Sequence, residues 1–331
     1  MKHKINELPQ GRFLLGFSGG VDSSALFFML YQCGIEFDLA IVDYGVREQS
    51  ALEVQYAQEL ARVYQKRCYV HKAPQIVGNF ESEARAIRYR FFQEIVLGEG
   101  YAGVILAHQL NDRLEWFVMQ MCRGAGLNTI LGFDFLEKWQ KISIYRPLLE
   151  VSRAEIEEYS CQNSIKSFQD ASNQDMSFQR NYVRTLLAPL IQKHHHNIAQ
   201  TLAYLFEDKK RLYREVQTHN LGDIVAFARS EVANDLHCLD QLLKQRGYVL
   251  SQKQRDEISR CDFECEIAGW VIASCAEWVW IAPKIKVDQM EKKFRESMRL
   301  ESIPSRLRKN IYQLIQEGKI ELDEVKKFFK I

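Results

Sequence analysis

The sequence predicts an α/β protein: a parallel five-stranded sheet with helices on both faces, then a helical linker and a smaller α+β C-terminal domain. Three observations predict it. Short apolar segments alternate with helix-length periodic segments through about Gln179, the pattern of a sheet built from crossover units. The strand segments are apolar throughout rather than at every second residue, as in strands covered on both faces. The alternation then stops, and a chain of 331 residues exceeds the usual capacity of one core, so two domains are expected.

The elements follow in order. Residues 12–17 (RFLLGF) read as a buried strand that enters SGGVDS and an apolar helix ended by Gly34. Residues 37–42 (FDLAIV) form a second strand. Residues 49–65 carry helical periodicity through Leu52, Tyr56, Leu60 and Val63. Residues 67–71 form a third strand, and 82–97 a helix with Ile87, Phe91 and Ile95 on one face. A fourth strand covers 103–107 and leads into a helix over 111–122. Residues 143–145 are a fifth strand, followed by a helix over 153–162. Residues 181–206 are helical in pattern, with a break expected at Pro189. Strand-like pieces return at 270–273 and 278–282; Trp278 and Trp280 there are expected in the core rather than as base-stacking platforms. The domains expected are 1–190 for the sheet, 191–220 for the helical linker and 221–331 for the C-terminal domain.

Composition narrows the class. Hydrophobic residues at 47% and charged residues at 26% are a globular balance, not a disordered one. A net charge of +1 means that a polyanion must be held by local basic patches. Two segments suit that role: residues 284–309, with nine basic and four acidic side chains, and 179–214, with seven and two. The eight cysteines contain no CxxC pair, so a zinc or iron–sulfur site is not expected. No membrane span or signal core is read in the chain, and a cytoplasmic address is expected.

Parallel sheets hold ligands at the carboxyl ends of their strands. After the first strand stand Ser18, Gly19, Gly20, Val21, Asp22 and Ser23. The glycines let backbone N–H groups approach an anion, and the helix that follows offers free N–H groups and a favourable dipole. No lysine follows, so this is not the GxxxxGK[ST] loop, and it is not GxGxxG. The Asp22 carboxylate would repel bare phosphate and makes sense beside Mg²⁺. After the fourth strand come His108, Asp112 and Glu115. The two acids share a helix face and can hold a cationic amine; His108 can donate to a phosphate oxygen. The plainer alternative is a satisfied loop histidine and two acids that complement the helix dipole. Arg180 and Arg184, one turn apart, form a guanidinium edge suited to phosphate, or are surface arginines of a capped helix.

SGGVDS resembles the PP-loop of N-type ATP pyrophosphatases, which cleave ATP between the α and β phosphates. AHQLNDRLE (107–115) resembles the AHHxxDxxET pattern of the lysidine synthetase family, and Arg123-Gly124-Ala125-Gly126 resembles its RGxG. Residues 81–92 (ESEARAIRYRFF) are similar to the family's arginine-rich helix, which carries Arg85 and Arg88. The series Arg146-Pro147-Leu148-Leu149, then Asp170-Ala171-Ser172-Asn173, then Arg180-Asn181-Tyr182-Val183-Arg184 resembles the same family, and residues 303–308 (IPSRLR) resemble its IPxxxR. The likeness covers roughly residues 12–190. Departures stand at Gln109 and Trp116, where the family has histidine and threonine, and at Asp43 and Tyr44, where it has asparagine and histidine.

The resemblance implies an adenine nucleotide alpha hydrolase-like catalytic domain over 1–190 and a tRNA-binding domain over 221–331. It implies ATP and Mg²⁺, with Asp22 on the metal and Ser18 to Ser23 around the pyrophosphate. His108 would act at the α-phosphate, Asp112 and Glu115 on the amine of free L-lysine, and Arg180 and Arg184 on the adenylate. Arg85, Arg88, Arg123, Arg306 and Arg308 would contact tRNA. The implied substrate is an isoleucine tRNA with a CAU anticodon, whose wobble cytidine becomes lysidine. A tRNA thiolase or a non-catalytic nucleotide- or tRNA-binding module are the alternatives. Helical surfaces over 181–215 are candidates for pairing two subunits.

Overall fold

The computed structural model describes residues 3–45, 48–76, 78, 80–168, 179–213, 216–285 and 290–329. The chain divides into two compact units, Met1–Glu207 and Asp208–Ile331.

The first unit is built on a six-stranded sheet. Its strands are β1 (Phe13–Gly16), β2 (Phe37–Asp43), β3 (Cys68–Lys72), β4 (Gly103–Ile105), β5 (Leu136–Trp139) and β6 (Ile142–Tyr145), in the order β3-β2-β1-β4-β6-β5. The first four and β6 run parallel, with Phe13 opposite both Phe37 and Gly103. These are the five strands expected. The sixth, β5, adds an antiparallel edge to β6. Its sequence LEKW alternates exposed and half-buried residues, as an edge strand with one covered face does, so it lacks the continuous apolar signal of its neighbours.

The helices of this unit are α1 (Val21–Gln32), α2 (Glu48–Val63), α3 (Phe80–Glu99), α4 (Leu110–Met121), α5 (Leu127–Ile130), α6 (Arg153–Gln162) and α7 (Gln179–Leu212), which runs to the end of the unit and beyond. Successive residues of β1 explain its apolar run. Phe13 and Leu15 pack with Phe27, Tyr56 and Ile156 of α1, α2 and α6 and with Phe37 of β2. Leu14 packs with Tyr89, Phe92 and Val96 of α3. Both faces of the strand are dry, so each of the two side-chain sets must be apolar. Helix α7 stays helical through Pro189, and its non-helical residue is His194 (φ −131°, ψ 18°). The break therefore lies beyond the expected proline: a proline removes one backbone donor, a cost that a long packed helix tolerates.

The second unit carries an antiparallel five-stranded sheet: β7 (Thr218–Leu221), β8 (Ile224–Ala228), β9 (Cys265–Ile267), β10 (Trp270–Ser274) and β11 (Trp278–Pro283), in the order β7-β8-β11-β10-β9. Helices α8 (Val232–Gln245) and α9 (Gln252–Arg260) cover one face; α10 (Lys292–Leu300), α11 (Arg308–Gln316) and α12 (Leu322–Phe328) cover the other. Val271 and Ala273 belong to the core under α10–α12, and Ile272 to the core under α8 and α9. Trp280 is buried in the first of these cores, with Trp278 packed at its margin. No described helix is long and apolar enough to cross a membrane.

Candidate active site

The sheet order places β1 between β2 and β4, the first crossover leading to one side and a later one to the other. That reversal opens a crevice at the carboxyl ends of β1 and β4. The loops leaving these two strands carry Ser18–Ser23 and His108–Asp112.

The loop after β1 is shaped to leave N–H groups open. Gly20 caps α1 with no side-chain hydrogen bond, so the first-turn donors keep their capacity for an anion. Gly19 has φ +75°, and a Cβ there would lie 3.1 Å from Glu53 Cγ; glycine meets both demands. The Gly19 carbonyl accepts from Phe168 N at 2.9 Å. The Ser18 and Ser23 hydroxyls lie 3.1 Å apart, and Ser23 also donates to the Gly20 carbonyl. Val21 and Asp22 open the helix itself.

Asp22 Oδ2 accepts from Arg153 Nη1 at 2.8 Å, while Oδ1 is buried without a hydrogen-bond partner. Burial pushes the carboxyl up to about 7 against the opposing pull of Arg153. A spare, desolvated carboxylate oxygen beside a phosphate loop fits a divalent cation. Among the described residues no group of three His, Cys, Asp or Glu is gathered to hold a metal. Asp22 would therefore share the ion with substrate phosphates, as Mg²⁺ sites in nucleotide enzymes do.

His108 lies at the exit of β4, half-buried. Its Nδ1 accepts from Arg146 Nε at 3.2 Å, and its ring stacks on Phe133 at 4.9 Å and 21°. Burial first, and then the charges of Arg146, Arg88, Arg85 and Arg180, hold it well below the usual histidine range. The imidazole is neutral, so it can donate a hydrogen bond but carries no charge of its own.

The two acids of α4 are already engaged. Arg180 donates to Asp112 Oδ1 and, at 2.7 Å, to Glu115 Oε2; Arg184 Nε donates to Glu115 Oε1 at 2.7 Å. Burial raises the Asp112 carboxyl, opposed by Arg180. The structure thus joins Asp112, Glu115, Arg180 and Arg184, which the sequence offered as two separate pairs. Gln109, in place of the family histidine, has a role of its own: its side chain accepts from Asn111 N, and its N–H donates to Asp112 Oδ2, closing a capping box on α4.

The remaining candidates divide. Arg85 and Arg88 lie on α3, and their charges disfavour a protonated His108; Arg85 also covers the Tyr89 ring at 4.4 Å, and Arg88 Nε is buried without a partner. Arg123 is exposed after α4. In the second unit, Arg306 Nε donates to Glu264 at 3.0 Å, and Arg308 Nε to the Ile303 carbonyl at 2.9 Å. Tyr44 donates to the Ala84 carbonyl, and Asp43 Oδ1 accepts from Gly45 N. The Asp170–Asn173 motif lies outside the described residues. Two site residues went unassigned in the sequence: Arg153 and Arg146. One signal was available for Arg153. A cation as the first residue of a helix opposes the macrodipole, so an acidic partner from elsewhere was to be sought.

Fold and site together define an ATP-using PP-loop enzyme, and the PP-loop domain family (ATP_bind_3) matches residues 1–191. Curated relatives carry the assignment further. The tRNA(Ile)-lysidine synthase of Helicobacter pylori is 43% identical over 314 residues, 94% of this chain and 92% of that protein. The enzyme of the same name from Wolinella succinogenes is 40% identical, covering 91% and 93%, and that of Campylobacter jejuni 36%, covering 92% and 94%. This chain belongs to the tRNA(Ile)-lysidine synthase family. A solved U34-tRNA thiolase from Methanococcus maripaludis is a distant neighbour, 17% identical with a TM-score of 0.48 over 59% of this chain and 72% of that one.

Proposed function

We propose that this chain joins free L-lysine to C2 of the wobble cytidine of an isoleucine tRNA with a CAU anticodon, releasing AMP and pyrophosphate. The observation that carries this reading is the convergence, at one sheet edge, of an uncapped α1 N-terminus, a partner-short Asp22 and a neutral His108.

The chemistry runs in two displacements. The C2 carbonyl oxygen attacks the α-phosphorus of ATP, the bond to the β-phosphate oxygen breaks, and pyrophosphate leaves. The lysine ε-amine then attacks C2, loses a proton, and AMP departs with the former carbonyl oxygen. Adenylation is needed because a pyrimidine carbonyl oxygen is otherwise a poor leaving group.

Each residue has a place in that sequence. The amides and hydroxyls of Ser18 to Ser23 cradle the departing pyrophosphate. Asp22 is the residue that would hold Mg²⁺, whose charge offsets that of the leaving group. His108 donates a hydrogen bond to the α-phosphate oxygens as they gain charge. Asp112 and Glu115 receive the lysine amine, sharing their oxygens with Arg180 and Arg184. Those guanidiniums then face the adenylate phosphate. Arg85, Arg88 and Arg123 in the first unit and Arg306 and Arg308 in the second supply tRNA contacts. A cytoplasmic address suits a tRNA enzyme, and two copies can pair through α7 and the residues after it.

The test is direct. Protein, ATP, Mg²⁺, labelled lysine and bulk tRNA are incubated, and label is sought in RNA with AMP as the nucleotide product. Label confined to free lysine, or ADP in place of AMP, overturns the reading. Pyrophosphate exchange with tRNA present and lysine absent separates an enzyme from a nucleotide-binding module, which would show none.

A further inference from the structure

Arg146 is fully buried, the largest side chain in the protein with essentially no exposed surface among the described residues. A buried guanidinium is costly unless every face of it is answered. Four groups answer it. The Glu137 carboxylate on β5 pairs with Nη2 at 2.6 Å by charge, without hydrogen-bond alignment; the Asp134 carbonyl lies 3.4 Å from Nη1, the Phe133 ring 5.2 Å from Cζ, and His108 Nδ1 3.2 Å from Nε. Three of the four come from residues 133–137, which lead into and begin the added antiparallel strand.

The fourth contact constrains chemistry. A guanidinium donates and never accepts. Its bond to Nδ1 requires that nitrogen to be the unprotonated one, which leaves the ring proton on Nε2 at the opposite edge. The second constraint is rotational. Phe133 stacks on the imidazole, Trp116 packs behind Phe133 at 5.6 Å, and Trp116 Nε1 is tied to the Thr129 carbonyl at 2.8 Å.

We propose that Arg146 is a positioning residue that fixes His108 in its Nε2–H tautomer, with Phe133 and Trp116 as the wall that holds the ring plane. The added edge strand has a function on this account: Glu137 makes the buried guanidinium tolerable. This inference rests on the adenylation role of His108 proposed above, but its structural half can be measured without substrate. Loss of the adjacent cation would also let the imidazole take up a proton nearer neutral pH, since Arg146 is the charge that most opposes it.

The experiment uses the full chain labelled with ¹⁵N-histidine and two-bond ¹⁵N–¹H correlation, with the His108 signals assigned by their loss in His108→Gln. The wild type is expected to show Nδ1 unprotonated and Nε2 protonated, unchanged between pH 6 and 8. Arg146→Met is expected to mix the tautomers and to titrate. Its adenylation rate should fall by about tenfold or more, up to the roughly 10²–10³-fold that outright loss of one aligned donor costs, with the KM for ATP within about twofold because the loop after β1 is untouched. Arg146→Lys restores a single N–H donor and should recover part of both signals. If Arg146→Met does not fold, Glu137→Gln, whose side chain is 40% exposed, loosens the same guanidinium and should mix the tautomers to a lesser degree. A wild-type His108 protonated on Nδ1, or an Arg146→Met or Glu137→Gln protein with the wild-type pattern, overturns the proposal. Failure of lysine incorporation with the expected tautomer would instead count against the functional reading.

Discussion

Arg153 Nη1 donates to Asp22 Oδ2 at 2.8 Å across 131 residues of sequence, while the other oxygen of that carboxylate is buried and has no partner. One oxygen is neutralised in place and the other is free for a cation. Asp22, held near 7 chiefly by burial, titrates within the working range of an enzyme. Pyrophosphate exchange should therefore rise between about pH 6 and 8, and higher Mg²⁺ should move the rise to lower pH by favouring the ionised form. Arg153→Met should move it to higher pH. A profile flat from pH 6 to 8 would contradict the assignment.

The same shift makes a stability prediction. The folded carboxyl lies near 7 and its ordinary value is 3.8, so across that window the folded chain holds a proton that the unfolded chain has lost. The stabilising contribution is complete below about pH 4 and is lost as pH rises through 7. Asp22→Asn cannot titrate. Its melting temperature relative to wild type, measured without Mg²⁺, should climb from pH 5 to 8; a constant difference would show that Asp22 does not carry the shift.

Glu115 is 2% exposed and receives both Arg180 and Arg184. Glu115→Gln removes the carboxylate charge that both guanidiniums share, while Arg180 keeps its bond to Asp112. Breaking a buried pair costs about 3–5 kcal/mol, and because both arginines are 37% exposed the loss expected here is about 1–3 kcal/mol. Urea denaturation reads it directly. A loss below about 0.5 kcal/mol would show that water already screens the cluster.

Gly132 sits at φ +62°, and a Cβ there would fall 2.3 Å from Trp116 Cδ1. Gly132→Ala should cost about 2–4 kcal/mol: about 1–2 kcal/mol for the left-handed backbone and a further share for displacing the indole. In a Trp116→Ala background only the backbone share should remain. A double-mutant cycle that shows no coupling between the two positions would refute the steric account.

Much of the fold could be read in advance because its rules are local. Continuous apolar runs at β1, β2 and β4 follow from dry faces on both sides. Strand β5 could not be found that way, since LEKW answers to one covered face and to a buried arginine. Gln109 and Trp116 show the same limit within the site. Each departs from the family pattern, and only the packed structure shows what each does there: one caps α4, the other backs the Phe133 ring.

The phosphate loop was determined by sequence alone. Its chemistry needs only six consecutive residues between a strand and a helix, and backbone conformation over so short a span depends on the residues themselves. The partners of that chemistry were decided by the tertiary structure. Arg153 with Asp22, Arg146 with His108, and Arg180 and Arg184 with Glu115 are joined across 131, 38, 65 and 69 residues. Ion pairing and tautomer choice depend on distance and on exclusion of water, and only the crossovers of the folded sheet set those quantities.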